Sequence, residues 1–231
     1  MFARMSSHYR CLFVFLGWFI MLVSCQHTPS SFLEKAIQME YTSIDSSFFY
    51  LQQIDNPKKL SPREQGDYNF LSYKTTLWKT GKPADSLLHI AIRYYMESGQ
   101  LSKYMQACIA QSASCLYRNQ PDSTLLFADL LLRKHLLNDT LKAQIYGLKR
   151  AAYSMKRDYT QALNMADSSR QFSRACKDTF VYFSVSQVYF HLLKQKQEYD
   201  KYELESHQLI EELTGSSNYQ YLNFHIFGIF D

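Results

Sequence analysis

The sequence predicts an all-α protein, an α-solenoid of stacked helix–turn–helix repeats, and three observations favour this fold class. The chain has 231 residues, 46% of them hydrophobic, with only seven glycines and five prolines. That content is sufficient for a buried core, but turn residues are too few for many short strands. The stretch 101–139 has apolar residues at helical spacing on both sides of a break at 119–121. Similar units follow one another along the chain.

The unit 101–139 shows the logic of one repeat. A first helix is predicted over 101–118 and a second over 122–137, because Pro121 cannot continue a helix and Asp122 can cap the next one. The predicted apolar stripe of the second helix consists of Leu125, Ala128, Leu132 and Leu136. Nothing within the unit is wide enough to cover this stripe, so a neighbouring unit must do so.

The second helices carry the repeat most clearly. Their predicted starts are Asp45, Asp85, Asp122, Thr160 and Asp200. Six residues after four of these starts comes a small side chain, namely Ala91, Ala128, Ala166 and Ser206, whereas the first start has Leu51. A small residue at a fixed place on successive helices predicts close helix packing there.

The first helices are predicted over 61–80, 101–118, 140–156 and 179–196. Ser61, Pro62 and Glu64 form a strong start signal, with a serine cap, proline in the first turn and glutamate three residues after the cap. An earlier pair is expected to begin with a capping box at Ser31, and 218–231 resembles a further first helix that stops part-way. Tyr182, Phe183, Tyr189 and Phe190 are interpreted as core between repeats.

The N-terminal segment predicts export. Arg4 and Arg10 precede the apolar run 11–23, which spans only about 20 Å as a helix, short of a bilayer core of about 30 Å. The run ends in Leu-Val-Ser-Cys25, which resembles the lipobox of bacterial lipoproteins. That resemblance implies a signal peptide over 1–24, lipid attachment at Cys25 and a tether over 25–31. An ordinary signal peptide is the alternative.

Three cysteines follow in the exported part of the chain. Cys108 and Cys115 are separated by about 10 Å along one predicted helix, too far for a disulfide. Core packing is the interpretation for all three, and a bridge from Cys176 to one of the others stays open.

The unit from Tyr153 through Asp158, Tyr159 and Ala162 to Ala166 resembles the tetratricopeptide repeat (TPR), with a longer period than usual. Downstream of a lipobox, the stretch 85–99 looks similar to bacterial TPR lipoproteins and to the sensor part of TPR-containing regulators. The resemblance implies a right-handed solenoid of about four to five helix pairs over 32–231, with a chain that could be truncated at its C-terminus.

The resemblance also implies a partner-binding groove lined by the first helices. Its positions, carried over residue by residue, are Ser72, Lys79, Gln106, Tyr117, Gln144, Met155, Ser184, Gln187, His191 and Lys194. Most are polar or basic, so an extended peptide or an acidic ligand is expected. Mere solvation of these positions is the alternative interpretation.

No catalytic motif, phosphate loop or metal-ligand spacing is found in the sequence, so no enzyme activity, cofactor or metal is expected. Without Arg4 and Arg10 there are 23 basic and 21 acidic residues, a balance that does not predict nucleic-acid binding. The favoured function is a membrane-anchored interaction module that binds a peptide or protein in the cell envelope, at the outer membrane facing the periplasm. The alternatives are the ligand-sensing part of a TPR-containing signalling or transcriptional regulator, and a nutrient-binding lipoprotein.

Overall fold

A computed structural model describes residues 29–134, 137–176 and 179–214. These residues form ten α-helices and no strand, so the all-α prediction is confirmed for the part described. The helices are α1 (Pro29–Met39), α2 (Ile44–Gln52), α3 (Pro62–Thr80), α4 (Asp85–Glu97), α5 (Leu101–Tyr117), α6 (Pro121–Leu132), α7 (Asp139–Met155), α8 (Tyr159–Ala175), α9 (Thr179–Gln195) and α10 (Tyr199–Thr214). A 3-10 turn, Pro57–Lys59, lies between α2 and α3.

Helix ends follow from local sequence. At α3 the Ser61 hydroxyl accepts from the Glu64 amide while the Glu64 carboxylate accepts from the Ser61 amide, which is the predicted capping box. The side chains of Asn138 and Asp158 cap α7 and α8 in the same general way.

The turn between the first and second helix of a pair has one recurring backbone conformation. Gly81, Asn119, Arg157 and Gln197 follow α3, α5, α7 and α9, and all four have φ between 58° and 64°. A left-handed residue at this place ends a helix because the next amides fold back onto its last carbonyls. After α5, for example, the Gln120 amide donates to the Cys115 carbonyl at 2.8 Å. Four equivalent turns at similar spacing make the fold helical and repeat-like.

Each helix packs on the next one along the chain, an arrangement compatible with an α-solenoid. The core is accordingly divided into clusters that succeed one another from α1 to α10 rather than gathered into one centre. Ala91, Ala128, Ala166 and Ser206 are all buried, at most 2% exposed. These small residues are therefore packed, and the predicted aromatic core on α9 is buried as well.

Ion pairs link three of the helix pairs to the preceding helix pair. Lys79 lies 3.8 Å from Asp45, Arg118 contacts Asp85, and Lys156 lies 2.6 Å from Asp122. In each case a basic residue at the end of a first helix meets the aspartate in the first turn of the preceding second helix. The charges also complement the helix dipoles at both ends.

Several details of the predicted unit 101–139 are wrong. The second helix begins at Pro121, without a side-chain cap, and Asp122 bonds Lys156 instead of capping. The helix ends at Leu132 rather than 137, and its buried stripe is Thr124, Ala128 and Leu131. The packed face of this helix is therefore offset by about one residue from its most apolar face. Leu136 lies outside the described residues.

The cysteine and boundary predictions have mixed outcomes. Cys108, Cys115 and Cys176 are all free thiols, so no bridge from Cys176 forms; Cys115 is buried and the other two are half-buried. The first helix begins at Pro29, ahead of the expected boundary at 32, so Ser31 lies within it. Segments 1–28, with Cys25, and 218–231 lie outside the described residues.

Candidate functional site

A cavity of about 620 Å³ lies between α5 and α7, two consecutive first helices. Its walls are mostly apolar and include Ile109 and Leu116 from α5 and Leu148 from α7. Tyr117, Gln144 and Arg150 supply its polar groups. A concave, largely apolar cavity with a few polar groups is the usual form of a binding site.

Small residues create this space. Ala113 on α5 and Gly147 and Ala151 on α7 line it, so short side chains occupy positions where larger ones would close it. Gly147 is loosely surrounded, since a Cβ built there would find only the Ser169 hydroxyl, at 3.8 Å. The space is therefore a consequence of side-chain size at three positions on facing helices.

Arg150 is the distinctive group of the cavity. The adjacent Lys149 donates to the Asp129 carboxylate on α6 at 2.8 Å, as expected for a basic residue on an amphipathic helix. Arg150 is half-buried and points into the α5–α7 cavity, where no acidic residue lines the wall. Within the described parts of the chain it has neither an ion pair nor a hydrogen-bonded partner, and burial lowers the pKa of its guanidinium. Among the residues that line this cavity, Arg150 is the only charged one.

The structure brings together two of the predicted groove residues. Tyr117 and Gln144 line the α5–α7 cavity, and both are exposed. Met155 ends α7 and is 42% exposed, outside the lining. Gln106 lies in a neighbouring cavity, so the predicted positions on α5 are divided between two sites.

The remaining groove positions lie apart from the α5–α7 cavity. Ser72 is half-buried on α3, and Ser184 and Gln187 are half-buried on α9. His191 is exposed, with its Nε2 3.1 Å from the Gln195 amide nitrogen. Lys79 and Lys194 lie over aromatic rings of second helices, Phe48 at 3.7 Å and Tyr202 at 4.7 Å, so both contact the neighbouring second helices.

The neighbouring cavity between α1, α3 and α5 is smaller, about 180 Å³, and its charges are already matched. Lys74 pairs with Glu40, and Lys103 pairs with Asp67. Asp67 also accepts a hydrogen bond of 3.0 Å from the buried Tyr95 hydroxyl. Burial, with the Asp67 charge, raises the pKa of Tyr95. This network is satisfied internally and leaves little for a ligand to add.

A third cavity, about 510 Å³, lies between α4, α5 and α6. Phe127 and Leu130 expose apolar surface there, and the Gln111 amide oxygen is buried without a partner in the described structure. Burial raises the pKa of the Cys108 thiol at its wall and so disfavours the thiolate. Its rim at Lys134 adjoins residues 135–136, which are outside the described residues.

Sequence reasoning missed Arg150 and the small residues around it. A Lys-Arg pair on a helix is ordinarily a solvated face, and only the positions of neighbouring acids separate Lys149 from Arg150. The spacing of Ala113, Gly147 and Ala151 carries a signal, but only once the facing helices are known.

No cluster of acids, histidines or cysteines suited to a metal ion occurs among the described residues. Over the same ranges, no helix combines the length and apolarity needed to traverse a bilayer. Comparisons of the chain with protein-family models, curated proteins and solved structures found no match. The described chain is thus characterised by a helical repeat-like fold and a cavity between two of its first helices.

Proposed function

We propose that the protein is a TPR-like interaction module, held in the cell envelope by a lipid on Cys25 and placed at the outer membrane facing the periplasm. It binds a peptide or protein partner along the face formed by its first helices. Signal-like residues 1–24 and the Cys25 motif support the anchoring part of this proposal. The recurring turns and the buried small residue in four of the five second helices support the TPR-like part.

The α5–α7 cavity is the observation that carries the binding part. It lies between consecutive first helices, where stacked helix pairs offer a continuous surface, and it contains two positions expected to contact a partner. Its apolar wall can take a side chain, while Tyr117 and Gln144 at its edge can hydrogen-bond a main chain. The cavity among α1, α3 and α5 also lies between first helices, but it is smaller, about 180 Å³, and its charges are paired.

Site-specific photo-crosslinking tests the proposal. A photoreactive amino acid replaces Gln144, at the cavity edge, or Leu126, which is 60% exposed on the second helix α6. The full chain is expressed in its own cells and crosslinked in intact membranes. We expect a discrete adduct from position 144 and none from 126. An adduct only from 126, or none from either, would refute the proposed binding face.

The ligand-sensing alternative is a second proposal, because the cavity volume also lies within the range of small-molecule sites, roughly 300–1,000 Å³. Under this alternative, a small-molecule screen would find a compound that raises the melting temperature of the full chain. Filling the cavity by Gly147→Leu would then abolish that shift.

A further inference from the structure

Arg150 places a positive charge where no acid among the described residues balances it. The guanidinium lies half-buried at the α5–α7 cavity, among Leu148, Ala151 and Leu116, with no acid in the lining. By contrast, Lys74, Lys103 and the basic residues at the ends of α5 and α7 all meet carboxylates. Arg133 and Lys134 at the α4–α6 cavity also lack an acid in the lining, but both are exposed to water, whereas Arg150 is half-buried.

Such an arrangement is unfavourable for the fold alone. Removing a charge from water costs free energy unless an opposite charge or hydrogen-bond acceptors replace the water. An apolar residue of similar length would fill the same wall without that cost. Groups that lower stability in an otherwise consistent fold are commonly found where a ligand supplies the missing partner.

The nature of the missing partner follows from the guanidinium and its surroundings. Arginine offers a planar set of N–H donors that matches the two oxygens of a carboxylate, and the partial burial of Arg150 strengthens such a pair. Beside it, Ile109, Leu116 and Leu148 form apolar wall that an aliphatic or aromatic side chain can cover. The complementary group is therefore a carboxylate adjacent to an apolar side chain.

We propose that the α5–α7 cavity binds a peptide segment in which an Asp or Glu side chain adjoins an apolar residue. The carboxylate accepts hydrogen bonds from Arg150, and the apolar side chain occupies the cavity. This inference rests on the proposed peptide-binding function and specifies the chemistry of the partner.

The cavity edge favours a peptide over a long-chain carboxylic acid. Tyr117 and Gln144 present a hydroxyl and an amide at the opening, both exposed and both able to pair with backbone groups. A hydrocarbon chain would leave these groups unused, and the cavity is open to solvent rather than an enclosed tunnel.

The test uses the full chain in detergent and paired probe peptides. Each probe is an acetylated, amidated hexapeptide with one Asp or Glu beside Leu, Ile or Phe, and its control has Asn or Gln instead. Binding is measured by fluorescence anisotropy for the parent protein and for Arg150→Gln, Arg150→Lys and Lys149→Gln. Circular dichroism melting of each variant verifies that it folds.

We expect the best acidic peptides to bind the parent about tenfold or more tightly than their amide controls, as charge-assisted hydrogen bonds to carboxylates imply. Arg150→Gln should reduce this preference to less than about twofold, whereas Arg150→Lys should keep part of it. Lys149→Gln, the matched control on the same helix, should keep all of it.

Four results would overturn the inference: no acidic peptide binds, amide controls bind equally well, the preference survives in Arg150→Gln, or palmitate binds while no peptide does. The last result would favour an acyl ligand. The crosslinking experiment at position 144 does not depend on a carboxylate. An adduct there without any Arg150 dependence would leave the proposed function standing and refute only the partner chemistry.

Discussion

Gly66 provides a sharp test of how α3 and α4 pack. A Cβ built on Gly66 would lie 2.7 and 2.8 Å from two ring carbons of Tyr95 and 3.5 Å from the Tyr94 Cβ. The ring cannot easily withdraw, because Tyr95 is 1% exposed and its hydroxyl donates to Asp67 at 3.0 Å. Gly66→Ala should therefore displace the ring or separate the two helices.

The magnitude follows from two opposing effects. Glycine to alanine inside a helix stabilises by about 1 kcal/mol, while overpacking a filled core costs about 1–3 kcal/mol. Gly147, in the middle of α7, is the matched control because its added Cβ would meet only the Ser169 hydroxyl, at 3.8 Å. Gly147→Ala should gain about 1 kcal/mol, so the two variants should differ by about 1–3 kcal/mol.

Thermal and urea unfolding of the two variants, side by side, measures this difference. For a chain of this size it corresponds to melting temperatures roughly 2–12 °C apart, with Gly147→Ala above the parent. If Gly66→Ala were as stable as Gly147→Ala, the close contact between α3 and Tyr95 would be refuted.

Four further predictions follow from the same structure. Ala128→Phe, at a fully buried repeat position, should lower the free energy of unfolding by about 1–3 kcal/mol. Asn164→Phe, on an exposed face of α8, should not. Melting of Ala128→Phe at the parent's temperature would contradict the packing of α6 at this position. Arg157→Gly should raise the unfolding free energy by about 1 kcal/mol, because Arg157 has φ 59°, and an unchanged urea midpoint would argue against that turn. The pKa of Tyr95 is raised in the fold, so its contribution is present below pH 10 and is lost as pH rises further; Tyr95→Phe should flatten the alkaline fall of the melting temperature, and an unaltered pH profile would contradict this. Cys25→Ala should release the protein from membranes or leave an uncleaved precursor, and mass spectrometry of an unlipidated mature chain starting elsewhere would refute lipid attachment.

The helices could be predicted from sequence because their signals are local. Capping at Ser61 and the small residue at Ala166 fix where a helix begins and which face is packed, and both are as expected. The buried stripe of α6 could not be read as well. Leu125 and Leu132 are as apolar as Leu131, and only the positions of α5 and α7 decide that Leu131 faces inward.

The candidate site was predictable only in part, for the same reason. First-helix positions such as Gln144 follow from the repeat register, whereas the register on α3 could not be fixed, and Lys79 lies against Phe48. The unbalanced charge of Arg150 could not be predicted in this way, because it arises from the absence of any described acid in the cavity lining. An absence of this kind is a property of the assembled helices and has no local sequence signal.

Basic residues on α7 have two different positions: some form ion pairs with neighbouring helices, and Arg150 lines the cavity. Lys156, at the helix end, pairs with Asp122 in the preceding second helix, as Arg118 does with Asp85 one repeat earlier. Such exposed pairs stabilise weakly, but they recur at equivalent places and favour one register between repeats. Arg150 lies nearly two turns before Lys156 on the same helix and has no such partner among the described residues. Lys156 therefore supplies the positive charge of α7 that contributes to packing between repeats. Arg150 does not contribute in this way, which supports the proposal that its partner is a ligand.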